Sequence, residues 1–167
     1  MKSEVDLLVG LQEVLADRPG LVPGARALSH FGEHALGWMA LAALGAAVDE
    51  RRRRQWVGVG VSAFASHAAS VVIKRVVRRQ RPHDPRIRVG VGTPSRLSFP
   101  SSHATSTAAA LTSLSSLSGS TIPLAGIPVM MVSRMVLGVH YPTDTLAGAL
   151  LGVVTSRAVT TIERKIA

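Results

Sequence analysis

Between Trp56 and Ile73 the chain passes about eighteen residues in which only Ser62, Ser66, His67 and Ser70 are polar. Wound as a helix at about 1.5 Å per residue, the run reaches about 27 Å, close to the roughly 30 Å of a hydrocarbon core. A helix this apolar on every side offers water no face, so it belongs in a bilayer or wholly inside protein. Its ends are marked: Arg51 to Arg54 and Trp56 stand at one and Lys74 at the other, as residues of a membrane interface do. Four further apolar segments obey the same logic over Ala27 to Val48, Ala104 to Leu117, Ile122 to Val139 and Thr145 to Ile162. The first is the least regular, because His30, Glu33 and His34 fall in its first half.

These segments predict an all-α fold, a polytopic transmembrane helix bundle of about five spans. All 167 residues form one membrane-embedded domain in this reading. Residues 1–20 read as an interfacial amphipathic helix, with Val5, Leu8, Leu11 and Leu15 on one face and Asp6, Gln12 and Glu13 on others. Pro19-Gly20 ends it and Pro23-Gly24 makes a second break. Acidic Glu4 and Asp6 and the lack of a small-residue cleavage site argue against a signal peptide. Residues 78–99, rich in proline and arginine, read as an exposed loop.

A net charge of +9 would raise nucleic-acid binding in a soluble chain, but aromatic residues for base stacking are only 4% and the basic residues bracket apolar runs. Hydrophobic residues are 47%, so membrane lipids and an anionic substrate are the expected partners, and nucleic acid is not. A multi-pass protein of the plasma membrane is expected. The chain has no cysteine, which excludes thiol chemistry.

Three clusters carry chemistry. Lys74 and Arg81-Pro82 are seven residues apart, about two helical turns, so both can point one way. Pro100-Ser101-Ser102-His103 opens a helix whose first N–H groups are free for an anion. Ser133-Arg134, His140 and Asp144 surround a helix boundary at which Pro142 suits the first helical position. Asp144 stands four residues beyond His140, close enough to accept from one imidazole nitrogen and leave the other facing outward. Alternation of the spans brings all three clusters to one membrane face. Three cations gathered there need a multiply charged anion between them, and phosphate fits. With few carboxylates nearby, a two-metal centre is not expected, and neither is any cofactor.

Lysine, six residues, Arg-Pro; Pro-Ser-x-His; and Ser-Arg, five residues, His, three residues, Asp together resemble the signature of the type 2 phosphatidic acid phosphatase superfamily of membrane lipid phosphatases. The resemblance covers Lys74 to Asp144 and departs at Ser102, where the family usually has glycine. It implies a phosphohistidine mechanism with His140 as nucleophile, Asp144 as its orienting carboxylate and His103 as acid and base. Lys74, Arg81, Arg134, the Ser101 hydroxyl and the backbone N–H groups of Ser102 and His103 would hold the phosphate oxygens. The expected substrate is a lipid whose phosphate lies at headgroup depth. Readings of other classes are an inactive lipid-phosphate binder and a structural membrane protein with basic loops. Of the remaining side chains, His67 is expected to be paired inside the bundle, Arg75, Arg78 and Arg79 to meet headgroups, and Ser133 to help position the phosphate-binding groups. His30, His34 and His83 receive no role.

Overall fold

The computed structural model describes residues 2–166, and these form α-helices and short 3₁₀ turns with no strand. In chain order the helices are α1 (Lys2–Leu15), α2 (Leu21–Phe31), α3 (Leu36–Val48), α4 (Arg53–Val77), α5 (Ser102–Ser118), α6 (Gly126–Val136) and α7 (Pro142–Lys165). Two helical stretches, Glu50–Val77 and Pro142–Lys165, are long and apolar enough to cross a membrane. The pair α2 and α3 would make a third if taken as one bent span. About five spans were expected; α5 and the apolar stretch Ile122–Val136 are shorter than the crossing length.

Helix α5 is the axis of the bundle, packed by α4, α6 and α7. It can be central because its side chains are small: Ala104, Ala108, Ala109 and Ala110 are fully buried. On α7, Gly148 and Gly152 face it so closely that a Cβ on Gly148 would lie 2.6 Å from the Ser101 carbonyl oxygen, and one on Gly152 would strike that of Thr105. Small residues four apart let two helices approach to backbone contact, the association mode that works in lipid. Hydroxyls buried with them are paired: Ser113 bonds Ser62 at 3.1 Å and Ser156 at 2.8 Å, tying α4, α5 and α7 together. Trp38 of α3 donates to Thr107 at 3.0 Å. Outward, Val57, Val61 and Phe64 on α4 and Leu146, Leu150 and Val154 on α7 are exposed, an apolar girdle suited to lipid. The chain is a membrane protein.

Two expectations about α1 and α2 are corrected. Pro23 does not break the chain, since it falls in the first turn of α2, where its missing N–H is tolerated. Gln12 does not face solvent. It is buried on α1, donating to Arg88 O at 2.7 Å and Val136 O at 2.9 Å and accepting from Arg88 N at 3.0 Å. One amide thereby ties α1 to the loop and to the end of α6.

The first apolar segment is not a straight helix. It bends by 50° between α2 and α3, with His34 (φ 50°) and Ala35 (φ 61°) both in the left-handed region. Each such residue costs on the order of 1–3 kcal/mol, so contacts elsewhere must hold the break. Gly32 supplies one: a Cβ there would lie 2.7 Å from His103 Cδ2. The loop 78–99 is likewise pinned, by Ser98 N to Arg79 O at 2.8 Å and Arg81 N to Arg96 O at 3.1 Å across its neck, and by Gly90 N to Leu137 O at 2.9 Å at its tip.

Candidate active site

The loop, the break between α2 and α3, and the ends of α4 to α6 enclose a cavity of about 510 Å³. Lys74, Arg81, Ser102, His103, Arg134 and His140 all line it. Lys74 ends α4 and is nine-tenths buried, its ammonium bonded to Ser98 O at 2.9 Å, Pro100 O at 2.5 Å and Leu97 O at 3.4 Å. Arg134, 1% exposed, donates to Ser29 Oγ at 2.7 Å, while its Nε has no partner. Arg81 reaches from the loop to Ser95 O at 2.8 Å and Val139 O at 2.7 Å. Among the described residues none of these three cations meets a carboxylate within salt-bridge distance. Buried charge without a counter-ion is expensive, so the cavity is an anion site by construction. Burial pushes Arg81 down to about 10, against the pull of Asp144, and it stays charged at neutral pH.

His140 sits in the turn between α6 and α7, 1% exposed. Arg81 Nη1 approaches its Nε2 at 3.1 Å. A guanidinium only donates, so Nε2 is the acceptor and the ring proton belongs on Nδ1, toward Asp144 Oδ2 at 3.6 Å. Burial, and then Arg81, Arg134 and Lys74, hold this imidazole well below its usual range, hence neutral. His103, in the first turn of α5, has Nε2 2.9 Å from Ser29 O.

Asp144 and Ser101 lie behind the cavity wall. The Asp144 carboxylate is fully buried; its Oδ2 accepts from Tyr141 N at 2.8 Å, closing the first turn of α7, and stands 3.6 Å from His140 Nδ1, longer than a hydrogen bond. Ser101 caps α5, its hydroxyl accepting from Ala104 N at 3.4 Å. Of this pair Ser102 is the one on the cavity wall, and its hydroxyl accepts from Ser70 at 2.8 Å. The Ser133 hydroxyl turns back on its own helix, to Met130 O at 2.8 Å.

Arg79, expected at lipid headgroups, instead binds Asp144 Oδ1 at 2.9 Å and Glu4 Oε2 at 2.6 Å, with its guanidinium 4.2 Å from the centre of the Tyr141 ring. Sequence reasoning missed it and Glu4 of α1. The adjacent arginines at 78 and 79 looked alike, and only the left-handed turn at Arg78 (φ 55°) ends α4 and sends Arg79 inward. His67 is corrected too: its Nδ1 is buried without a partner, and its ring meets that of His34 edge-on at 5.8 Å. His30, Glu33, His34 and His67 all reach the cavity wall. A larger hollow of about 850 Å³ at the other end of the bundle, between the start of α4 and the end of α7, has arginines but no histidine on its wall. Among the described residues no group of three or more His, Asp or Glu side chains is set to hold a metal ion.

The three clusters therefore meet in one cavity, in an all-helical frame, and the sequence over residues 55–166 matches the PAP2 superfamily. The chain belongs to that superfamily, a family of phosphatases. A decaprenylphosphoryl-5-phosphoribose phosphatase of Mycolicibacterium smegmatis is 59% identical to it over 147 residues, 88% of this chain and 82% of that protein. The Mycobacterium tuberculosis protein of the same name is 53% identical over 151 residues, 90% of this chain and 85% of that one. The family fold extends further: the PAP2 type phosphatidylglycerolphosphate phosphatase of Bacillus subtilis superposes with a TM-score of 0.77 at 21% identity, covering 100% of this chain and 89% of that one. Aquifex aeolicus LpxE does so at 0.77 and 17%, covering 93% of each.

Proposed function

We propose that this chain removes the 5-phosphate of decaprenylphosphoryl-5-phosphoribose, in the synthesis of cell-wall arabinan precursors, through a phosphohistidine. The observation that carries the chemistry is the buried, neutral His140, whose Nε2 lone pair faces a cavity walled by three cations without carboxylate partners. The substrate is inferred from the two mycobacterial relatives, which match this chain over most of their length.

An arriving phosphate takes the N–H donors of Arg81 and frees the Nε2 lone pair that Arg81 otherwise holds. Nε2 forms a bond to phosphorus as the ester P–O bond breaks, and the leaving alkoxide takes a proton from His103. His103 then removes a proton from water, whose oxygen attacks phosphorus. The N–P electron pair returns to His140 and inorganic phosphate departs. Asp144 orients the His140 ring from behind. Lys74, Arg81, Arg134 and the N–H groups at Ser102 and His103 carry the charge of the transferring group. The Ser101 hydroxyl, spent on its cap, supports that helix end from one residue away.

The domain is a single one, with α1 at the interface, residues 78–99 as the loop that roofs the site, and all five apolar segments crossing the plasma membrane. Helix α5 has small, buried side chains that meet protein more than lipid, and the turn Ile122–Ala125 lengthens the fourth segment ahead of α6. Purified protein in detergent, with chelator present, should release phosphate from decaprenylphosphoryl-5-phosphoribose, and His140→Ala should release none. Equal release by that variant would overturn the nucleophile, and a wild type inert on this substrate would overturn the substrate.

A further inference from the structure

One stretch of the cavity wall that the phosphate chemistry leaves unused is polar. Glu33, His34 and His67 share its wall with the catalytic groups, and Glu33 is the one carboxylate on that wall among the described residues. A carboxylate on the same wall as Lys74, Arg81 and Arg134 would repel a phosphate, yet it is a strong acceptor for hydroxyls. On the same wall His67 Nδ1 is buried with no partner, and the His34 ring lies edge-on to that of His67 at 5.8 Å. The backbone is held in an unfavourable conformation at His34 and Ala35 to bring this segment in.

Position says which part of a substrate would lie there. In an in-line displacement the leaving oxygen departs opposite the nucleophile, on the side of the acid. The acid, His103, touches Gly32: a Cβ on that glycine would lie 2.7 Å from His103 Cδ2. Glu33 and His34 are the next two residues of the chain after Gly32. The group attached to the leaving oxygen must therefore run past His103 toward these side chains.

We propose that Glu33, His34 and His67 form a leaving-group subsite that selects phosphate esters of a hydroxyl-bearing alcohol, such as a sugar, over esters of a plain apolar alcohol. Glu33 accepts from two neighbouring hydroxyls, and the imidazoles of His34 and His67 complete their hydrogen bonds. This rests on the reading of the cavity as a lipid phosphatase site. A site built to bond hydroxyls discriminates against an ester that lacks them, because the buried His67 Nδ1 is then left unpaired, while Glu33 and His34, both exposed, keep only water.

The test compares kcat/KM for decaprenylphosphoryl-5-phosphoribose and for decaprenyl monophosphate, which has the same lipid and no sugar, in wild type, Glu33→Gln and His67→Phe. Each substitution should lower the ratio of the two by about 10- to 100-fold, the effect of losing a hydrogen bond to a charged or buried group. Because the ratio is read within one protein, partial loss of folded material cancels. A ratio that stays at the wild-type value in both variants, or a wild type that treats the two esters alike, overturns the subsite while the phosphatase reading stands. Release from neither ester by wild type overturns the phosphatase reading itself, and the subsite with it.

Discussion

Replacing Arg79 by methionine removes the cation that, with Glu4, joins α1, the end of α4 and the start of α7. The Asp144 carboxylate has no exposed surface and Arg79 holds its Oδ1 at 2.9 Å, with Thr143 Oγ1 at 2.7 Å from the same nitrogen and Glu4 at 2.6 Å from the other. Taking one partner from a buried ion pair costs about 3–5 kcal/mol, since the remaining charge stays desolvated. The Arg79 side chain is 21% exposed, so water reaches part of the gap and the lower end, about 3 kcal/mol, is expected. The carboxylate lies 3.6 Å from His140 Nδ1, and its displacement should also turn that imidazole, the nucleophile of the proposed mechanism. A misplacement of that kind, about 1 Å, lowers turnover by about 100-fold. Arg79→Lys should fall between, because a single ammonium cannot span Glu4 and Asp144 together. Chemical unfolding in mixed micelles measures the first effect and phosphate release the second. An Arg79→Met protein within about 0.5 kcal/mol of wild type, and equally active, would refute the reasoning, since that is the range of an ordinary surface change.

Acid should destabilise the fold through His140. Its folded-state pKa lies below the ordinary 6.5, so the unfolded chain binds the extra proton between the two values, and stability falls as pH drops below 6.5. The slope is at most about 1.4 kcal/mol per pH unit, and unfolding curves of wild type and His140→Gln from about pH 7.5 to 5 should differ by it; equal slopes would count against a buried neutral imidazole. Gly138→Ala should cost about 1–3 kcal/mol, because at φ 67° its Cβ would strike Arg88 O and lie 2.9 Å from Ile87 Cγ2 and 3.0 Å from Gln12 Nε2. The same unfolding assay reads it, and an unchanged midpoint would contradict the tight seating of the loop on the α6 to α7 turn.

What the amino-acid order determined by itself is local in origin. The 3.6-residue period and the unbroken apolar run place α4 and end it near Lys74. Pro142 starts α7 because its ring suits the first helical position, and that start fixes how far Asp144 stands from His140. The all-helical class comes from such features, and the three expected clusters do meet in one cavity. Tertiary structure decided what no local rule reaches. Arg79 became a partner of Asp144 across 65 residues, and Gln12 a tie to Val136 across 124. Ser101 and Ser102 exchanged their expected prominence because the cap of α5 claimed the first hydroxyl. Period and propensity say which way a side chain points from its own helix. They do not say what stands opposite, and for Glu33 and His34 what stands opposite the break is the wall of a cavity shared with Lys74, Arg81 and Arg134.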